Sequence, residues 1–172
     1  YPKPQEWLDF ETMWKINELE VIKVESGSRS NNTQILKVAI KKVAAQSKID
    51  PRLILALIMQ ESTGDANVSC TNNNRDCGLM QIHGGGDLKT GHTVEDMIRE
   101  GVFGIPTGSQ EFPNGWPGFL DLAGNPFAAA HAYNAGRLTS VMLNVDDGAR
   151  SVSYANDIAS RLLGWNGAKE GC

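Results

Sequence analysis

A chain of 172 residues, 41% hydrophobic and 21% charged, has the length of one ordinary domain and the composition of a folded globular protein, which excludes disordered, collagen-like and coiled-coil classes. Its 16 basic against 20 acidic residues leave a net charge of -4, so bulk charge gives no reason to expect a nucleic acid partner. The longest uninterrupted apolar run, Leu53 to Met59, is far short of the ~20 residues of a membrane span, so the chain reads as soluble with no membrane insertion.

No repeat, low-complexity tract or Gly/Ser linker divides the chain, so a single domain over residues 1–172 is expected, with residues 1–45 as an N-terminal helical extension packed on it. A first helix falls within Glu6 to Glu25, where Trp7, Phe10, Met13 or Trp14, and Asn17 or Glu18 recur at helical spacing. From Thr33 to Ser47, Leu36, Ala39, Ile40, Val43 and Ala44 form an apolar stripe opposite Lys37, Lys41 and Lys42. Asp50-Pro51 reads as an N-cap followed by proline at the first helical position, opening a helix to about Ser62.

Further along, Thr93-Val94-Glu95-Asp96 reads as a capping box for a short helix to about Val102. Asn125-Pro126 opens a helix carrying Phe127, Ala130, Tyr133 and Asn134, and a last one runs from about Tyr154 to Leu163, ended by Gly164. No segment alternates as a hairpin strand does, so the expected class is mainly α without a large sheet. Gly101 to Gly124, rich in Gly and Pro, reads as a long loop whose Phe103, Phe112, Trp116 and Phe119 either serve a site or plug the core from outside.

The Tyr1-Pro2 start has the form left by signal-peptide removal, although a trimmed chain begins the same way. Cys70 and Cys77 bracket a polar loop and, in an oxidising compartment, close a ring of about 8 residues worth roughly 2.5 kcal/mol in the chain-entropy model. Asn31 and Asn67 head glycosylation sequons, and Cys172 is the odd cysteine. Together these lead to the expectation of a secreted, extracellular protein.

The most informative residue is Glu61. On the Pro51 helix it lies at helical spacing from Ile54, Leu57 and Ile58, which puts a carboxyl group on the apolar stripe. Such a group either pairs with Arg52, Arg75 or another cation, or takes a raised pKa and stays protonated, as a general acid for glycoside cleavage must. Glu61-Ser62 after an apolar helix, then Gly78-Leu79-Met80-Gln81-Ile82, then Ala132-Tyr133-Asn134-Ala135-Gly136, in this order, closely resembles the soluble lytic transglycosylase and goose-type lysozyme superfamily, glycoside hydrolase family 23. The blocks and the helices between them cover about Ile49 to Gly164.

The resemblance implies a lysozyme-like, mainly α domain with a saccharide groove, cutting the β-1,4 bond between N-acetylmuramic acid and N-acetylglucosamine. It makes Glu61 the general acid and Ser62 its neighbour in the site. Met80 is then expected beneath a sugar, with Gln81 donating hydrogen bonds and Ile82 lining the groove. Tyr133 would orient the acid through its hydroxyl, beside Asn134. Trp116 and Phe119 are candidates for stacking on sugar faces. Asp76 lies about where goose-type lysozymes carry a water-positioning aspartate, while His83 stands where they place a second one; Asp65 and Asp87 are further candidates.

Two carboxyl groups ~6.5 to 9.5 Å apart admit a water and invert, groups ~5 to 5.5 Å apart retain through a covalent intermediate, and lytic transglycosylases need only one. The expected protein is thus a monomeric, metal-free and cofactor-free enzyme on peptidoglycan or a chitin-type polysaccharide, with lysozyme-type hydrolysis favoured over anhydro-product formation. His83, His92 and His131 and the cysteines have no metal-ligand spacing, and Gly84-Gly85-Gly86 reads as a flexible turn beside the groove. The alternatives are a chitinase and, from another class, a catalytically silent sugar-binding module.

Overall fold

The structure, a computed structural model, describes residues 1–25, 32–106, 116–119, 122, 124–135 and 150–167. Among these residues the fold is mainly α: α1 (Phe10–Glu25), α2 (Asn32–Ser47), α3 (Pro51–Glu61), α4 (Val94–Phe103), α5 (Pro126–Ala135) and α6 (Arg150–Leu162). Strands β1 (Asp76–Cys77) and β2 (Ile82–His83) form one short antiparallel ribbon, and β3 (Gly104–Ile105) and β4 (Trp116–Pro117) another.

Helix α3 is the axis of the fold, and local chemistry fixes where it starts. Asp50 accepts the Arg52 backbone N–H at 2.9 Å, and Pro51 occupies a position whose N–H would have no helical partner. The same Asp50 carboxylate takes the Arg52 guanidinium at 2.6 Å. Arg52 is therefore spent at the start of the helix and does not reach Glu61 at its end. From Leu53 to Met59 every residue is buried, so α3 is enclosed on all sides rather than along one stripe. Helices α1, α2 and α6 pack around it.

The stripe expected on α2 is buried as read, with Leu36, Ala39, Ile40, Val43 and Ala44 all in the core. Trp7, Met13, Trp14 and Val21 join the same cluster from the N-terminal segment, and Leu8 N donates to Leu162 O at 3.0 Å, tying that segment to the end of α6. Thr93 and Asp96 form the reciprocal capping box at the start of α4. Asn125 Oδ1 accepts from Phe127 N at 2.9 Å and starts α5.

Two boundaries differ from the sequence reading. α6 starts at Arg150 rather than near Tyr154. The stretch Gly101 to Gly124 is not one loop. Its first residues complete α4, Ile105 pairs with Trp116, and Phe119 is 4% exposed in the core. Phe112 lies outside the described residues.

Candidate active site

Glu61 sits at the last position of α3, where the helix leaves the core and opens onto a cleft of about 390 Å³. Tyr154, from α6, donates its hydroxyl to Glu61 Oε1 at 2.5 Å. The carboxyl is pushed up from 4.5 to about 7, first by burial and then by the negative charge of Asp76, with the Tyr154 hydrogen bond opposing both. The helix C-terminus, with its partial negative charge, acts in the same upward direction. A carboxyl group in this state holds its proton near neutrality and, among the described residues, has one fixed donor to orient it, which suits it to proton delivery.

The opposite wall is built by the segment after α3. Cys70 and Cys77 are joined in a disulfide, and inside the ring Thr71 and Asp76 exchange backbone hydrogen bonds, Thr71 N to Asp76 O at 2.8 Å and Asp76 N to Thr71 O at 3.3 Å. Asn72, Asn73 and Asn74 turn the chain with φ of 48°, 58° and 62°, a left-handed conformation that asparagine tolerates better than most residues. The ring presents Thr71, Asn72 and Asp76 to the cleft. Across β1 and β2, Asp76 pairs with His83, and His83 Nδ1 lies 2.6 Å from Asp76 Oδ1.

The Gly78 to Ile82 segment is a turn held from below and from the side. Leu79 and Met80 are wholly buried, while Gln81, at φ 46°, stands over the turn and lines the cleft. Gln81 Nε2 donates to Gly78 O at 2.9 Å, and its Oε1 accepts from Thr71 Oγ1 at 2.9 Å. The amide is thus braced between the turn and the disulfide ring, which offsets the cost of its left-handed backbone.

Several expected site residues lie elsewhere or act differently. Ser62 is buried, its Oγ 3.0 Å from Ile58 O and 2.9 Å from Leu79 O, so it ties the end of α3 to the Gly78 turn instead of meeting a sugar. Met80 is 0% exposed against Gly101, where any added Cβ would meet its sulfur at 2.4 Å, so its side chain supports the turn from the core. The Tyr133 hydroxyl donates to Met80 O at 2.8 Å, and Tyr154 takes the place at Glu61 that Tyr133 was expected to hold. Phe119 packs edge-on against Tyr133 at 6.1 Å and is too buried to stack on a sugar.

The triple glycine is not a flexible turn. Gly84 N donates to Arg75 O at 2.7 Å and Gly86 N to Glu100 Oε2 at 2.9 Å, and a Cβ at Gly86 would lie 2.0 Å from the His92 ring. These glycines permit close approach of packed segments. His92 itself pairs with Glu100 at 3.0 Å, and His131 is buried in α5. Asp65 accepts from Asn67 N and Asp87 caps the short 3-10 turn Leu88–Thr90, so neither lines the cleft.

Glu61, Asp76, Gln81, Ile82, His83, Tyr133 and Asn134 do come together on its walls. Asn67 is exposed; Asn31, Cys172 and the Trp116 side chain lie outside the described residues. Among the described residues no group of three or more His, Cys, Asp or Glu could hold a metal ion.

Tyr154 is the functional residue that sequence reading missed. Its signal is a tyrosine on the buried face of α6 beside Ala155, Ile158 and Leu162, since a buried phenol needs a hydrogen-bond partner. That partner lies 93 residues earlier in the chain and has no local signature.

No curated protein and no solved structure gives a significant match to this chain. A family model, that of the transglycosylase SLT domain, matches residues 38–97, from α2 through α3, the disulfide ring and the Gly78 turn into α4. The match supports peptidoglycan-cleaving activity of the lytic transglycosylase type, with peptidoglycan as the polymer bound. Residues 38–97 thus carry the match to the transglycosylase SLT domain family, within the lytic transglycosylase and lysozyme-like superfamily that the three motifs resemble.

Proposed function

We propose that this protein is a muramidase that cuts the β-1,4 bond between N-acetylmuramic acid and N-acetylglucosamine, with Glu61 as general acid and water as the nucleophile. The observation that carries the reading is the state of Glu61: a cleft carboxyl held up at about 7, with a second carboxyl group, Asp76, on the lining of the same cleft. A sugar leaving group departs poorly until its oxygen is protonated, and a positioned acid contributes ~10²- to 10⁴-fold. Glu61 supplies that proton to the glycosidic oxygen while Tyr154 holds the carboxyl in place. Asp76 favours hydrolysis over anhydro-product formation, since a second carboxylate is what an attacking water needs. Gln81 and Asn134, on the cleft walls, present amides to sugar hydroxyl and acetamido groups.

The Cys70–Cys77 disulfide and the exposed Asn67 sequon support secretion into an oxidising, extracellular setting. The test of function is mass spectrometry of the products released from purified peptidoglycan. Reducing muropeptides from the wild type, and at least ~10²-fold less from a folded Glu61→Gln variant, are expected. An active, folded Gln variant refutes the assignment of the acid, and exclusively anhydro-muropeptides refute water as the nucleophile.

A further inference from the structure

The antiparallel pairing of β1 with β2 sets Asp76 directly across from His83, and each strand is only two residues long. The side chains meet on the cleft wall, His83 Nδ1 lying 2.6 Å from Asp76 Oδ1, with 20% and 25% of the two side chains exposed. An ionised carboxylate only accepts hydrogen bonds, so Nδ1 carries the hydrogen and donates it. The Asp76 charge acts on Glu61 and on Tyr133, and Asp76 and His83 both line the cleft that holds the acid. Among the described residues His83 engages Oδ1, which leaves Oδ2 for a nucleophile.

The backbone of Asp76 is fixed by Thr71 and by the disulfide ring, but its side chain, on so short a strand, needs a separate restraint. A second carboxylate beside it would repel it and would raise Glu61 further by its own charge. An imidazole N–H donor orients Asp76 without adding a negative charge to the cleft.

Resting on the reading of Glu61 above, we propose that His83 is a positioning residue for hydrolysis. It fixes Asp76 so that Oδ2 takes the proton of the attacking water, and the pair thereby sets water, rather than the substrate's own 6-hydroxyl, as the group that reaches the anomeric carbon. As the bond from the anomeric carbon to the glycosidic oxygen breaks, the Glu61 proton passes to that oxygen. The water oxygen bonds to the anomeric carbon, and the proton it sheds passes to Asp76 Oδ2. Exchange with solvent then returns Asp76 to the carboxylate and Glu61 to the acid.

The test compares His83→Asn with His83→Gln in the full chain. The asparagine amide nitrogen falls close to the place of Nδ1 and keeps the donor, whereas the glutamine amide lies further out. His83→Gln is expected to release reducing ends about tenfold more slowly and to raise the anhydro share of the products, while His83→Asn stays within about threefold of the wild type. Asp76→Asn is expected to shift the products in the same direction as His83→Gln and gives a second route should that variant fail to fold.

An unchanged ratio of reducing to anhydro products in His83→Gln and Asp76→Asn, with Glu61→Gln inactive, overturns the role of the pair and leaves the acid reading standing. A wild type that forms only anhydro products also overturns it. Activity in folded Glu61→Gln removes the acid reading and the pair's role together, a pattern the His83 series does not produce.

Discussion

Tyr154→Phe removes one hydroxyl and nothing else from the environment of Glu61, because phenylalanine fills the same buried space in α6. That hydroxyl donates to Glu61 Oε1 at 2.5 Å and is the one contribution that lowers the acid's pKa against burial and the charge of Asp76. A hydrogen bond to a charged group contributes ~1.5–3 kcal/mol, and 1.36 kcal/mol corresponds to one pH unit. Part of that bond also forms with the neutral acid, so the net rise is about one pH unit, from about 7 toward ~8.

The acid form is the active one, so activity falls as pH rises through this pKa, and in the variant it falls later. The ratio of activity at pH ~8.5 to that at pH ~6 is therefore expected to rise about sevenfold over the wild type, even as the rate at pH ~6 drops about tenfold through loss of orientation. Initial rates of muropeptide release across pH, for wild type and variant, give both quantities. Tyr133→Phe is the control: its hydroxyl bonds Met80 O, and its loss is expected to leave the alkaline limb in place. An alkaline limb that stays put or moves to lower pH in Tyr154→Phe refutes the assignment of Tyr154.

Glu61→Gln reads the same group through stability. A carboxyl raised from 4.5 in the unfolded chain to about 7 in the fold contributes its full stability below 4.5 and loses it as pH rises through 7. The stability of Glu61→Gln relative to wild type is therefore expected to grow by up to about 3 kcal/mol between pH ~4 and pH ~8 in denaturant titrations, and a pH-independent difference refutes it. Reducing the Cys70–Cys77 disulfide is expected to lower the midpoint of thermal unfolding, for a cost of roughly 2.5 kcal/mol, and to depress activity at temperatures where the fold survives, because the ring carries Thr71 and Asp76; full activity after reduction contradicts that role. Gly86→Ala is expected to destabilise by about 1–3 kcal/mol, since its Cβ would meet the His92 ring at 2.0 Å, and calorimetry showing an unchanged melting temperature refutes the close packing of the glycine run.

The parts of the fold that the sequence made legible are those whose cause is local. Asp50 with Pro51, Thr93 with Asp96, and Asn125 each mark a helix start through bonds spanning two or three residues, and the α2 stripe repeats within one helix. Glu61 was legible because a carboxylate at helical spacing from the apolar residues Ile54, Leu57 and Ile58 is costly to bury. Arg52 illustrates the limit: sequence proximity allowed it to pair with Glu61, but the helix puts the two at opposite ends and Asp50 takes the guanidinium. Ser62 and Met80 were misplaced for a related reason. A motif records that a residue type is needed, and whether it faces the cleft or holds the cleft from behind is decided by packing between segments far apart in the chain.

Tyr133 and Tyr154 show how packing separates residues that chemistry makes equivalent. Both are phenols near Glu61, Tyr154 buried and Tyr133 half-buried, both keep their protons because desolvation and the charge of Glu61 push them well above their ordinary value, and either could orient the acid. The choice rests on where each hydroxyl finds an acceptor. The Gly78 turn leaves the Met80 carbonyl within 2.8 Å of Tyr133, and a buried carbonyl without a donor would be costly, so Tyr133 is committed to the turn. α6 packs along α3 and brings Tyr154 to its C-terminal end, where the Glu61 carboxyl is the acceptor. One tyrosine therefore holds the wall of the cleft and the other holds the acid, and exchanging their roles would leave the Met80 carbonyl unpaired.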